Sequence, residues 1–187
     1  MTKREGDALK IKLFGKSFKS PVWVASGTFG YGEEYAEIYD VSKLGAIVTK
    51  SITLEPRRGH PPPRVVETPS GMLNAIGLQN VGVDNFIKEK LPYLRRLRTR
   101  VIVNIAGSSI NEYVKVTERL SRKRGIDALE VNISCPNVKA GGVEIGAHSK
   151  QALKTIAMVK KASRFPVIAK LSPNVTDITA IARAVED

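Results

Sequence analysis

A single cysteine among 187 residues closes off two classes of protein at once. It cannot form an internal disulfide and gives no Cys-Cys metal spacing, so a secreted disulfide scaffold and a zinc module are both excluded, and no metal site is expected. Long hydrophobic runs are also lacking. None approaches the roughly 20 residues that span a bilayer, and the polar start MTKREGDALK has no apolar signal-peptide core. A cytoplasmic protein with no membrane partner is expected. The glycine-rich turn of a dinucleotide fold is missing too, because Gly27, Gly30 and Gly32 do not make the G-x-G-x-x-G spacing. Negative charge is scarce: 18 Asp and Glu face 30 Lys and Arg, for a net charge of +12. Such an excess suits a phosphate backbone. Much of it, however, falls in residues 95–100, 119–124 and 160–164, each at the end of a predicted helix, where cations complement the helix dipole. No aromatic-interleaved basic strip accompanies them, so nucleic acid is not the expected partner.

What is present reads as one globular domain over residues 1–187, with 42% hydrophobic and 26% charged residues. Five apolar runs stand out: PVWVASG from Pro21, AIVTKSIT from Ala46, RVIVNIAG from Arg100, ALEVNISCPN from Ala128 and PVIAKLSPN from Pro166. Their nearly continuous apolar character predicts strands covered on both faces, hence a parallel sheet. Between them, Ile87, Leu91 and Leu94 share one predicted helical face, and Leu153, Ile156 and Ala157 share another. Ahead of the first strand, KIKLFGKSFKS reads as a hairpin at about residues 10–20, turning around Gly15 and Lys16 and plugging the bottom of a barrel. Residues 54–82 form the longest irregular stretch, and a second long loop, with Gly141, Gly142 and Gly146, follows Cys135. Both follow strand C-termini. Lys50, Asn104, Asn132, Cys135 and Lys170 lie at or near the ends of several of these strands, which is how a (β/α)8 barrel collects one site. The fold class expected is therefore α/β, a TIM-type barrel. Eight units need about 250 residues, so about the first five strand-helix units are expected here, C-terminally incomplete.

Residue by residue, the chemistry stays open. Cys135 is either a buried inert thiol or a reactive one; it follows an apolar strand, Pro136 ends that strand, and Asn132 and Asn137 flank it with amides. Lys50 and Lys170 end apolar strands, where an ammonium either snorkels to solvent or joins a cationic floor for a carboxylate or a reduced flavin. The segment NAIGLQN from Asn74 is either a turn or a clasp for a planar ligand.

Four segments, VTKSIT, PPPRVVETPSGMLNAIGLQN, NISCPN and the lysine of IAKLSPN, resemble in order and spacing the signature segments of dihydroorotate dehydrogenase. The similarity spans essentially the whole chain. NISCPN with cysteine is similar to the soluble class 1 enzymes, and the glycine-bearing NVKAGGVEIG loop resembles their B type; Val81 and Glu144-Ile145 depart from the pattern. The resemblance implies oxidation of dihydroorotate to orotate in UMP biosynthesis, with one FMN per catalytic subunit. It implies Cys135 as the catalytic base. Lys50, Asn74, Gly77, Leu78, Asn132 and Asn137 would bind substrate, and Ala25, Ser26, Lys50, Ser51, Asn104, Asn132 and Lys170 would line FMN. A homodimer is implied, with FAD and an iron-sulfur cluster only on a partner subunit that passes electrons to NAD. Two rivals stay in view: an FMN barrel acting on another dihydropyrimidine or dihydrouridine, and a non-enzymatic basic RNA-binding module.

Overall fold

The structure is a computed structural model and describes residues 8–134 and 145–186. It opens with an antiparallel hairpin of β1 (Ile11–Leu13) and β2 (Lys16–Phe18). Phe14 and Gly15 turn it, with φ of 54 and 70. Positive φ at both turn positions matches the right-handed twist of the flanking strands. The turn is thus one residue earlier than the sequence suggests, and Lys16 pairs with Leu13 as the first residue of β2.

Five strands then form one parallel sheet: β3 (Trp23–Val24), β4 (Ala46–Val48), β7 (Arg100–Ile105), β8 (Ala128–Asn132) and β9 (Val167–Lys170). Their order in the sheet is their order in the chain. A doubly wound sheet would reverse direction at a switch point. A monotonic parallel order is an arc of a (β/α) barrel.

Alternation across the pleat gives the arc two apolar faces. Ile47, Val101, Val103, Ile105, Leu129 and Val131 point outward, into one cluster with Phe86, Leu94, Tyr113, Leu120 and Ile156 of the covering helices. Ala46, Val48, Ile102 and Ala128 point inward, packed with Phe18, Trp23 and Ile168. Phe18 is 1% exposed, so the hairpin seals the N-terminal end of the inner face, the plug expected from sequence. Further along the same inner-facing parity the residues turn polar: Asn104 sits opposite Glu130, and Asn132 opposite Lys170.

The helical elements are α1 (Glu33–Ala36), α2 (Gly82–Asn85), a π-helical turn (Phe86–Lys90), α3 (Leu91–Leu94), α4 (Ile110–Ser121), α5 (Ser149–Ala162) and α6 (Ile178–Glu186). Leu91 and Leu94 are buried as their spacing predicts, and Ile87 packs against the same core. The π turn arises where Pro92, lacking an N–H and crowding the carbonyl four residues back, enters the helix. In α5 the buried face is Ala152, Thr155, Ile156 and Val159. Leu153 and Ala157, expected beside Ile156, lie off that stripe, and Leu153 is 40% exposed.

The stretch of residues 54–82 is not wholly irregular. It contains a second hairpin, β5 (Val65–Thr68) paired with β6 (Gly71–Asn74). The turn residues Pro69 and Ser70, with Gly71 after them, between two apolar pairs were its sequence signal. The apolar residues on both sides are exposed, so no burial pattern advertised the strands.

Candidate active site

The C-terminal ends of the strands converge on a cleft of about 430 Å³. Ser26 beyond β3, Lys50 and Ser51 beyond β4, Asn132 of β8 and Lys170 of β9 line it from the sheet, and residues 74–79 line it from the long loop. Parallel strands end on the same side, so each contributes its last inward-facing residue to one place. Lys170 Nζ donates to Ser26 Oγ at 3.3 Å, linking the first strand of the sheet to the fifth. Lys50 is anchored by its backbone N–H, which donates to Gly30 O at 2.8 Å. Burial lowers its ammonium pKa below the usual 10.5, the nearby Arg64 charge lowers it further, and Glu34 opposes both. Among the described residues neither Lys50 nor Lys170 forms an ion pair. Two ammoniums near one cleft with no protein carboxylate paired to them suit a negatively charged ligand.

Beneath the cleft lies a polar layer. Asn104 is fully buried; its backbone N–H donates to Thr49 Oγ1 at 3.2 Å and its side-chain amide donates to the Glu130 carboxylate. Among the described residues its carbonyl oxygen Oδ1 has no hydrogen-bond partner. Asn132 is held from three sides: Nδ2 donates to Ser51 Oγ at 3.3 Å, Oδ1 accepts from the Ser134 hydroxyl at 2.7 Å, and its backbone O accepts from Tyr113 Oη at 2.7 Å. Tyr113 belongs to α4, so a covering helix fixes the end of β8 from the outside of the arc.

Two residues hold the loop wall. Arg64 donates to His60 O, to Arg58 O and to Gln79 Oε1. Asn80 is buried; its Oδ1 accepts from Gly82 N at 2.8 Å and from Thr53 N at 3.2 Å, and its Nδ2 donates to Leu78 O at 2.8 Å. Between them the chain passes through positive φ at Gly77 (72) and Leu78 (54). A Cβ on Gly77 would lie 2.8 Å from His60 N, so only glycine fits.

The cleft thus brings together Ser26, Lys50, Ser51, Asn74, Gly77, Leu78, Asn132 and Lys170, all singled out from sequence. Ala25 is exposed at the end of β3 and does not line it, and Asn104 lies in the layer below. Cys135 and Asn137 lie outside the described residues, as do Gly141 and Gly142 of the loop that follows. Sequence reasoning missed Glu130, Arg64 and Asn80. Glu130 had a signal, its period-two spacing from Ala128 and Asn132 on the inward face; Arg64 and Asn80 act through contacts that only the folded loop creates. Among the described residues no cluster of His, Cys, Asp or Glu is placed to hold a metal ion. No described helix is long and apolar enough to cross a membrane.

Comparison with known proteins adds four findings. A family model for dihydroorotate dehydrogenase matches residues 8–187. The catalytic subunit of dihydroorotate dehydrogenase B (NAD(+)) from Geobacillus kaustophilus is 54% identical over 178 residues, covering 95% of this chain and 57% of that protein. Its namesake from Geotalea uraniireducens is 50% identical over 179 residues, covering 96% of this chain and 59% of that protein. The chain therefore spans under two thirds of the length of these relatives. A crystal structure of DHODH in complex with ferulenol from Eimeria tenella matches with a TM-score of 0.78 at 19% identity, covering 100% of this chain and 58% of that one. At that identity it speaks for the fold alone.

Proposed function

This chain belongs to the dihydroorotate dehydrogenase family, and from that premise we propose that it forms the flavin and substrate site of an enzyme oxidising dihydroorotate to orotate in pyrimidine biosynthesis. The observation that carries the reading is the meeting of Lys50, Asn132 and Lys170 from three strand ends with residues 74–79 in one cleft. FMN fits the residues present. The Lys50 and Lys170 ammoniums at the cleft offer fixed positive charge for a reduced flavin, and Asn104 lies in the polar layer beneath them. Ser26, Lys50, Ser51 and Asn132 of the cleft lining complete the proposed cofactor set, together with Ala25 next to Ser26 at the cleft edge.

When bound, FMN supplies two-electron acceptance from the C5–C6 bond of dihydroorotate. Cys135 takes the C5 proton as general base, a role that rests on the resemblance of NISCPN. A thiol with an ordinary pKa near 8.5 can be tuned to that task. Lys50 meets the substrate carboxylate, while Asn74, the Gly77-Leu78 backbone, Asn132 and Asn137 hold the pyrimidine ring. The relatives' names carry NAD(+) and "catalytic subunit". They support passage of electrons to NAD through a second subunit; the homodimer, and the FAD and iron-sulfur cluster on that subunit, rest on the resemblance of the signature segments. The location proposed with it is the cytoplasm.

Titration of the FMN-loaded protein with orotate tests the reading. Orotate is expected to perturb the flavin absorption band with saturation. A band indifferent to orotate but perturbed by uracil would transfer the site to a different dihydropyrimidine.

A further inference from the structure

We propose that the N-terminal end of the strand arc carries a second site, an anion site for a small phosphate-bearing molecule, built from Lys19, Arg98 and Arg100. The inference does not depend on what the cleft at the other end binds. A hollow of about 300 Å³ is lined by Ser17, Lys19, Gly45, Arg98, Thr99 and Arg100. Ser17 lies in β2 of the plug hairpin and Lys19 just after it, Gly45 precedes β4, and residues 98–100 lead into β7. The hollow therefore gathers strand starts where the cleft gathers strand ends, at opposite ends of one parallel arc. Three of its lining residues are cations and none is an acid. Arg98 and Arg100 come from the basic run of residues 95–100, which capping of helix ends does not fully employ.

Two of the three cations are held in place by the backbone around them. Lys19 Nζ donates to Ser42 O at 3.1 Å and to Arg98 O at 2.8 Å, which leaves one of its three N–H donors over. Arg100 donates from Nε to Ser17 O and from Nη1 to Asp127 Oδ1, both at 3.0 Å, which leaves Nη2 over. Arg98 forms no ion pair among the described residues, and its guanidinium donates no hydrogen bond there. The carboxylates in the neighbourhood are already engaged. Asp127 is shared between Arg100 and Lys16, and Asp40, which lines an adjoining hollow with Arg98, accepts from Ser42 N at 3.1 Å. A recess of one charge sign focuses its field on an entering counter-ion. Lys19 and Arg98 are exposed, so water and salt screen each contact and a singly charged ion gains little. A phosphate group carries up to about two negative charges and several acceptor oxygens, and it matches the planar fork of a guanidinium. The ligand class is a phosphate monoester or a diphosphate.

Calorimetric titration with inorganic pyrophosphate, at an ionic strength fixed with sodium chloride, tests the site. It is run on the wild-type protein and on a Lys50→Ala, Lys170→Ala double variant, whose cleft has lost both ammoniums. Both should bind pyrophosphate, and both should melt at higher temperature as its concentration rises. Arg98 holds a positive φ of 47. Glycine adopts that conformation at lower cost and keeps the carbonyl that Lys19 grips, so Arg98→Gly removes the guanidinium without disturbing the turn. In either background it should weaken pyrophosphate binding about tenfold, the loss of one charge-assisted hydrogen bond. Asparagine also tolerates positive φ, so Arg98→Asn repeats the measurement if the glycine variant does not fold. Binding that survives Arg98→Gly and disappears in the cleft double variant would put the anion at the strand ends and overturn the proposal. So would a gain in melting temperature that sodium chloride alone reproduces. Binding of a single-stranded RNA oligonucleotide by a protein that ignores pyrophosphate would give the surface to nucleic acid and overturn it as well.

Discussion

At the scale of single residues, the most informative side chain is Lys50. Burial holds its pKa below 10.5 and Arg64 pushes it the same way. The sign follows directly. A depressed lysine pKa means that the folded state disfavours the charged form, so folding stability gains as pH rises through the folded pKa. Ligand binding runs the other way, since a carboxylate needs the ammonium. Orotate affinity is therefore expected to fall as pH climbs, starting below the ordinary lysine range. In Lys50→Arg the guanidinium stays charged, and that part of the decline should vanish. Fluorescence titration across alkaline pH checks it, and identical slopes for wild type and Lys50→Arg would exclude Lys50 as the carboxylate partner. Cys135→Ser carries a second expectation: flavin reduction should slow about 100-fold or more, since a positioned proton transfer contributes about 10² to 10⁴, while orotate binding changes little. Stopped-flow bleaching at an unchanged rate would take the thiol out of the reaction. Lys50, Asn132 and Lys170 were legible because a polar side chain ending an apolar strand is conspicuous. Glu130 was not, because one carboxylate inside a run read as continuously apolar looks like noise until the strand's parity is known.

Between residues and the whole molecule stand the two hairpins. The first is tied to the sheet through Asp127, whose carboxylate accepts from Lys16 Nζ at 3.1 Å, Arg100 at 3.0 Å and Val101 N at 3.0 Å. Asp127→Ala leaves two cations and a backbone N–H short of their acceptor. It should cost about 2–3 kcal/mol, from hydrogen bonds to a charged group, read as a fall in the urea midpoint at constant slope. The wall that follows the second hairpin is held by Asn80. Asn80→Ala should cost about 1–3 kcal/mol for its unsatisfied buried partners. Because Asn80 holds Leu78 O, orotate affinity should fall as well. Lowered stability with unaltered orotate affinity would show that Asn80 supports the fold without shaping the cleft. The plug hairpin was visible in KIKLFGKSFKS from the turn glycine, but its register was displaced because Phe14 takes the positive φ expected of a polar residue or glycine. The β5–β6 hairpin was hidden by three consecutive prolines and by apolar pairs that face solvent.

For the whole molecule, polar residues at four strand ends were enough to choose a barrel over a doubly wound sheet, and the sequential parallel order bears that choice out. The excess positive charge also has a place in this architecture. Arg95 donates to Arg124 O and Arg164 to Lys123 O, which closes carbonyls just beyond the end of α4 with side chains from neighbouring units. These carbonyls belong to the segment after α4 and not to each cation's own helix; Arg119, Lys160 and Lys161 stand in the last turn of their own helices, as inferred from sequence. Such pairings need three-dimensional neighbours, which is why sequence located the cations but not their acceptors. The central claim, that the cleft at the strand ends is where dihydroorotate meets a flavin, is tested most directly by mixing the FMN-loaded protein anaerobically with dihydroorotate and following the flavin absorbance in a single turnover. Bleaching by one equivalent of dihydroorotate, with orotate formed in equal amount and none by a Lys50→Ala, Lys170→Ala double variant, is the predicted result. A flavin that stays oxidised with dihydroorotate, or that bleaches equally well in the double variant, would contradict it.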